Sequence, residues 1–152
     1  MQFINHRVNT LSHLASVPLT NGVEIDVRYH MDDLILHHDP YSHHRSNPVK
    51  LKEYLRNWAH SGPLILNIKT EGIELDCIEL MTEFDICNWF FLDLSMPYFA
   101  TFSEKARQRE IKKFGPENLA VRFSELEPIE YALSFSGSVG WVWVDCFENL
   151  PL

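Results

Sequence analysis

The sequence predicts an α/β fold in which strands and helices alternate around a mostly parallel sheet. Short apolar runs alternate with helical patterns along the whole chain, which is typical of repeated β-α units. The length of 152 residues fits one domain with a single core. Hydrophobic residues make up 45% and charged residues 22% of the chain, and this balance excludes intrinsic disorder and collagen-like or coiled-coil repeats.

Seven apolar runs are predicted to form the strands. Six of them are predicted to lie parallel, at residues 3–8, 23–29, 64–70, 89–94, 119–123 and 141–146. A shorter run at residues 34–38 follows a turn at Met31, Asp32 and Asp33, so it is predicted to return along the second strand.

Four helices are predicted between these strands. The clearest has apolar residues at i, i+3, i+4 and i+7, which are Leu51, Tyr54, Leu55 and Trp58. Asn47 is predicted to cap this helix, Pro48 to occupy its first position and Gly62 to follow its end. The other three helices are predicted over residues 73–84, from Ser103 to before Gly115, and over residues 128–136.

The number of units leaves two architectures open. About six β-α units are present, whereas an eight-stranded (β/α)8 barrel typically takes about 250 residues. Residues 1–152 are therefore expected to form one domain, which is either an open sheet or a barrel whose last two units are missing. An uncovered edge strand favours association, so a homodimer through the open edge is expected.

The charge and the cysteine content indicate which partners and which cellular compartment to expect. The net charge of −8 opposes binding to a phosphate backbone, so no nucleic acid partner is expected. No apolar run reaches the roughly 18 residues of a membrane helix, so no stable membrane insertion is expected. The three cysteines show no C-x-x-C spacing, which favours a reducing cytoplasm.

Polar residues stand at the C-terminal ends of the predicted strands, where parallel strands meet at one rim. Glu24 and Asp26 are two residues apart on one strand, so their side chains point to the same face. Two carboxylates on one face suit Mg²⁺ or Ca²⁺. A polar strand face in contact with water is the alternative interpretation.

Two histidines end separate strands and are candidates for acid-base chemistry. His6 precedes Arg7, and His38 precedes Asp39, whose carboxylate can orient an imidazole. Zinc or nickel bound by a histidine cluster is an alternative. That cluster would comprise His37, His38, His43 and His44.

Several segments follow the pattern of a known family. His6-Arg7 resembles an opening H-R-G motif, residues 22–27 resemble G-x-E-x-D-V, and residues 34–40 resemble an apolar run ending in H-D-P. Residues 66–69 resemble an E-x-K strand, and residues 120–124 resemble a later strand. The chain thus resembles the glycerophosphodiester phosphodiesterases, within the phosphatidylinositol-phospholipase-C-like phosphodiesterases, which implies a TIM-type barrel. The likeness is specific over residues 4–40.

The resemblance implies a metal-dependent hydrolase of a small anionic phosphodiester of glycerol, inositol or sugar type. Glu24, Asp26 and Asn67 would hold the divalent cation, Mg²⁺ or Ca²⁺, and His6 and His38 would act as general base and general acid. Arg7, Lys69 and Arg122 would bind the substrate.

Two departures from the family pattern keep a second function open. Asn67 stands where the family usually has a third metal carboxylate, and Val8 stands where the opening motif has glycine. A catalytically inactive barrel that binds a phosphorylated ligand is therefore the alternative function.

Overall fold

A computed structural model of the protein describes residues 3–41 and 47–147. Its fold is mixed α/β, with alternating strands and helices and a mostly parallel sheet, as the sequence predicts. The chain divides into two compact units between Trp89 and Phe90. Within the described residues, every helix is too short or too polar to cross a bilayer.

The first unit contains a three-stranded parallel arrangement with one antiparallel addition. Its elements are β1 (Ile4–Asn5), α1 (Leu11–Ser16), β2 (Gly22–His30), β3 (Asp33–Leu36), α2 (Leu51–Arg56), β4 (Leu64–Ile68) and α3 (Glu74–Glu83). Strand β2 is central, because it pairs in parallel with β1 on one side and β4 on the other. Strand β3 turns back along β2 in antiparallel register. The register sets Asp26 of β2 beside Asn67 of β4.

Strand β2 is buried on both faces over its first six residues. Val23, Ile25 and Val27 lie in the core with no exposed surface. Between them, Glu24 and Asp26 are 2% and 0% exposed. The alternative of a polar strand face in contact with water is therefore wrong for these two carboxylates.

The second unit begins within β5 (Trp89–Leu92), which crosses the division between the units. It continues with α4 (Met96–Gln108), a 3₁₀ turn (Pro116–Asn118), β6 (Ala120–Phe123), α5 (Ile129–Ser134) and β7 (Trp141–Val144). Strands β6 and β7 are parallel, with Ala120 opposite Trp141. A parallel bridge joins Phe91 to Leu119.

Three local expectations about helices differ from the structure. Helix α2 begins at Leu51 rather than Pro48, because Leu36 N–H donates to Val49 C=O and Lys50 bridges Ile35, which keeps the preceding segment extended. Helix α4 begins at Met96 rather than Ser103. Pro97 lacks an N–H donor, but it is tolerated in the first turn because the N–H groups there have no partner within the helix.

Helix α1 has no counterpart among the predicted helices. It has only six residues and one buried side chain, so its apolar periodicity is weak. The available signal was Thr10, whose side chain accepts a hydrogen bond from His13 N–H at 3.2 Å and caps the helix.

Candidate functional site

The site is built around the two buried carboxylates of β2. Alternation along the strand brings Glu24 and Asp26 to one face, and the parallel neighbour β4 supplies Asn67 beside them. Glu24 Oε1 accepts a hydrogen bond from Asn67 Nδ2 at 2.9 Å. The three residues predicted to hold a cation therefore lie side by side.

The segment after β1 supplies two backbone N–H donors to Glu24. Arg7 adopts a left-handed conformation with φ of 54°, and its N–H donates to Glu24 Oε2 at 2.6 Å. Val8 N–H donates to the Glu24 carbonyl at 2.9 Å. The position that requires the unusual backbone is thus Arg7, so valine at position 8 is accommodated without a positive φ.

Asn9 pairs with Asp26 through both ends of its side-chain amide. Asn9 Nδ2 donates to Asp26 Oδ2 at 2.7 Å, and Asn9 Oδ1 accepts from Asp26 N–H at 2.8 Å. Sequence reasoning missed Asn9, because an asparagine just before a helix cap has the usual composition of a turn.

Two buried oxygen atoms remain open acceptors in this cluster. Asp26 Oδ1 and Asn67 Oδ1 are inaccessible to solvent and have no hydrogen-bond partner. Lys69 Nζ lies 3.5 Å from Asp26 Oδ1, which is an ion pair without a hydrogen bond. Buried oxygens without donors are costly unless a cation or water satisfies them.

A hard divalent cation fits this donor set. Two carboxylates and an amide carbonyl are the oxygen ligands that Mg²⁺ and Ca²⁺ prefer. Lys69 places one positive charge beside the two carboxylates. Across the described ranges, no group of three or more His, Cys, Asp and Glu side chains is arranged to hold a metal ion.

His38 is oriented by its neighbour in the sequence. His38 Nδ1 lies 2.9 Å from Asp39 Oδ1. A carboxylate at this distance favours the tautomer with hydrogen on Nδ1. The imidazole is partly exposed.

Arg28 ties the His38 segment to the end of β4. Its guanidinium donates to the carbonyls of His37 and His38, with the shortest contact 2.7 Å from Nη2 to His38 O. Nη1 donates to Lys69 O at 3.2 Å. Arg28 was not among the predicted site residues, and only its place on the same strand face as Glu24 and Asp26 indicated this role.

A cleft of about 410 Å³ opens beside these residues. Arg7 and His38 line it together with the apolar side chains of Leu36, Pro48 and Val49. His6 is exposed and immediately precedes the left-handed turn at Arg7. The predicted base, acid and phosphate-binding arginine therefore come from two segments, one after β1 and one after β3.

The alternative histidine cluster is described only in part. His37 Nδ1 lies 2.7 Å from the carbonyl of Asp39, and its ring contacts Tyr41 edge-on. His43 and His44 lie outside the described residues. Zinc or nickel binding by these histidines stays a prediction.

Arg122 belongs to the second unit. Its guanidinium is ion-paired with Asp93 and lies 3.9 Å from Asp145 Oδ2. Arg122 lies within β6, and Asp93 and Asp145 directly follow β5 and β7. Asp93 and Arg122 line a cleft of about 260 Å³. Substrate binding by Arg122 stays a prediction.

Comparisons of the chain with protein-family models, with curated proteins and with solved structures find no match.

Proposed function

We propose that the protein is a metal-dependent phosphodiester hydrolase that acts on a small anionic glycerophosphodiester or a sugar or inositol phosphodiester. The observation that carries the proposal is the buried pair Glu24 and Asp26, with open acceptors on Asp26 and Asn67 and with Lys69 3.5 Å away. A buried group of carboxylates and one amine at the ends of parallel strands suits a cation and a phosphate together.

Glu24, Asp26 and Asn67 would hold the cation, Mg²⁺ or Ca²⁺. When bound, it supplies positive charge that neutralises the non-bridging oxygens of a phosphodiester. Lys69 and Arg7 add positive charge from the protein itself, and Arg7 lines the neighbouring cleft. Charge stabilisation of this kind is commonly the largest contribution to catalysis of phosphoryl transfer.

The two histidines divide the proton transfers. His6 removes a proton from the attacking hydroxyl or water while the new P–O bond forms. His38, oriented by Asp39, gives a proton to the leaving alkoxide as the old P–O bond breaks. General acid-base catalysis of this kind is worth roughly 10²- to 10⁴-fold in rate.

The cleft next to His38 suits the alcohol portion of the substrate. Leu36, Pro48 and Val49 give it an apolar wall, and Asn47 and Thr10 add neutral polar groups. Asp39 is the carboxylate of the lining, and it is paired with His38. A neutral alcohol such as glycerol or inositol fits this part of the cleft.

The proposal extends to the fold and the compartment. A TIM-type (β/α)8 barrel is the architecture that the resemblance of residues 4–40 implies, and the alternating elements support it. The three cysteines, Cys77, Cys87 and Cys146, show no C-x-x-C spacing, which favours the reducing cytoplasm.

Hydrolysis of defined diesters tests the function. We expect the full chain with Mg²⁺ or Ca²⁺ to hydrolyse glycerophosphoinositol, glycerophosphoethanolamine or bis(p-nitrophenyl) phosphate, and His38→Ala to lower kcat by about 10²- to 10⁴-fold. His13→Ala is the matched control, because His13 is an exposed histidine on α1. A folded protein that hydrolyses none of these diesters contradicts the proposal. Retained binding of glycerol phosphate would then favour the inactive ligand-binding barrel.

Isothermal titration with Mg²⁺, Ca²⁺ and Zn²⁺ tests the cation site separately. We expect Glu24→Ala and Asp26→Ala to abolish binding of Mg²⁺ or Ca²⁺. Glu74→Gln is the matched control, because Glu74 is a buried carboxylate on α3 that belongs to another hydrogen-bond group. Equal losses in all three variants would contradict the assignment of the site.

A further inference from the structure

The side chain of Asn9 contacts Asp26, one of the candidate cation ligands, at two points. Both polar atoms of its side chain bind Asp26, one to the carboxylate at 2.7 Å and one to the backbone N–H at 2.8 Å. This two-point contact fixes the Asp26 side chain relative to its own backbone. Asp26 is fully buried, so no solvent molecule replaces these contacts at its surface.

The contact also determines which Asp26 oxygen is open. Oδ2 is occupied by Asn9, whereas Oδ1 has no hydrogen-bond partner and faces Lys69 Nζ at 3.5 Å. Rotation of the carboxylate would move Oδ2 off the amide and leave the Asn9 donor unsatisfied. Asn9 therefore selects Oδ1 as the atom presented to a cation or to the lysine.

The donor from Asn9 is a neutral amide, so it adds no positive charge to the site. An arginine or lysine in the place of Asn9 would neutralise Asp26 and weaken its attraction for a cation. An amide holds the carboxylate in place and keeps its negative charge available. Arg7 N–H and Asn67 Nδ2, which are also neutral donors, hold Glu24 in the same way.

We propose that Asn9 is a positioning residue for a divalent cation, because it fixes Asp26 so that Oδ1 points toward the ligand. This inference rests on the proposed cation site at Glu24 and Asp26. Residues that orient metal ligands typically change metal affinity or activity by about 10- to 100-fold when they are removed.

Binding of Mn²⁺, followed by electron paramagnetic resonance, tests the inference without any substrate. We expect Asn9→Ala to weaken Mn²⁺ binding by about 10- to 100-fold in protein that is folded by circular dichroism. The matched control is Asn21→Ala, which removes an asparagine contact to Asn5 in the same unit. Unchanged Mn²⁺ affinity in folded Asn9→Ala, an equal loss in Asn21→Ala, or no Mn²⁺ binding by the wild type would each overturn the proposal.

A second readout covers the case in which Asn9→Ala does not fold. In the wild-type protein, substoichiometric Mn²⁺ should broaden the side-chain amide resonance of Asn9 more strongly than that of Asn21. Equal broadening of the two amides would overturn the proposal. A wild type whose Mn²⁺ affinity depends on Asn9 but that hydrolyses no diester would sustain this inference and contradict the proposed function.

Discussion

Buried carboxylates in the first unit differ in the number of hydrogen bonds that their side chains accept. Glu24 receives two hydrogen bonds to its side chain, from Arg7 N–H and Asn67 Nδ2. Glu74 Oε2 accepts from Gly72 N–H at 3.0 Å, while its buried Oε1 has no partner. Burial raises the pKa of Glu74, although hydrogen bonds from the backbone oppose this effect.

The pKa of Glu74 predicts a pH-dependent stability. A carboxyl whose pKa is raised by folding stabilises the protein below the unfolded pKa of about 4.3, and this contribution is lost as the pH rises through the folded pKa. Glu74→Gln removes the buried charge and keeps an acceptor for Gly72 N–H. We expect Glu74→Gln to melt at a higher temperature than the wild type at pH 7 to 8, with the difference closing toward pH 4. Calorimetry of both proteins from pH 4 to pH 8 measures this difference in melting temperature. A difference that does not change with pH would contradict the prediction.

The hairpin of β2 and β3 matters for the site because it carries the chain from Asp26 to His38. His30 pairs with Asp33, so Met31 and Asp32 form a two-residue turn, and both have a positive φ, 46° and 64°. Two-residue turns of this kind favour Asn or Gly, since other side chains meet steric cost in the left-handed region. Met31 is 70% exposed, so packing does not compensate for this cost.

Met31→Asn should therefore stabilise the protein. We expect the free energy of unfolding to rise by about 0.5–1 kcal/mol, because asparagine adopts the left-handed conformation more readily than methionine. Urea denaturation measures the change, with Met31→Ala as the control that removes the side chain without relieving the backbone. A gain of equal size in Met31→Ala would show that the side chain rather than the turn was responsible.

Strand β7 presents apolar residues to solvent. Val142 and Val144 are 58% and 54% exposed, and Trp141 is also exposed. Within the described residues, β7 pairs with β6. An edge strand of this composition can pair with another chain, so the homodimer expected from the sequence stays a prediction.

Self-association through β7 is measurable by sedimentation velocity. We expect the wild type to show a dimer fraction that grows with concentration and Val142→Lys to be monomeric, since a charged residue on an edge strand opposes pairing. Leu75→Lys is the control, because Leu75 is an exposed apolar residue on α3. A wild type that stays monomeric, or equal disruption by both substitutions, would refute the expectation.

Local sequence patterns were enough to predict the alternation of strands and helices, the turn at Met31 and Asp32, and the placement of Glu24 and Asp26 on one strand face. Each of these follows from a period or a spacing within a few residues. The contacts of Asn9 with Asp26, and of Arg28 with the carbonyls of His38 and Lys69, span 10 to 41 positions. No local pattern encodes such contacts, because strand register and the path of the chain after β1 bring these residues together. The tertiary structure alone therefore decided which oxygen of Asp26 stays open.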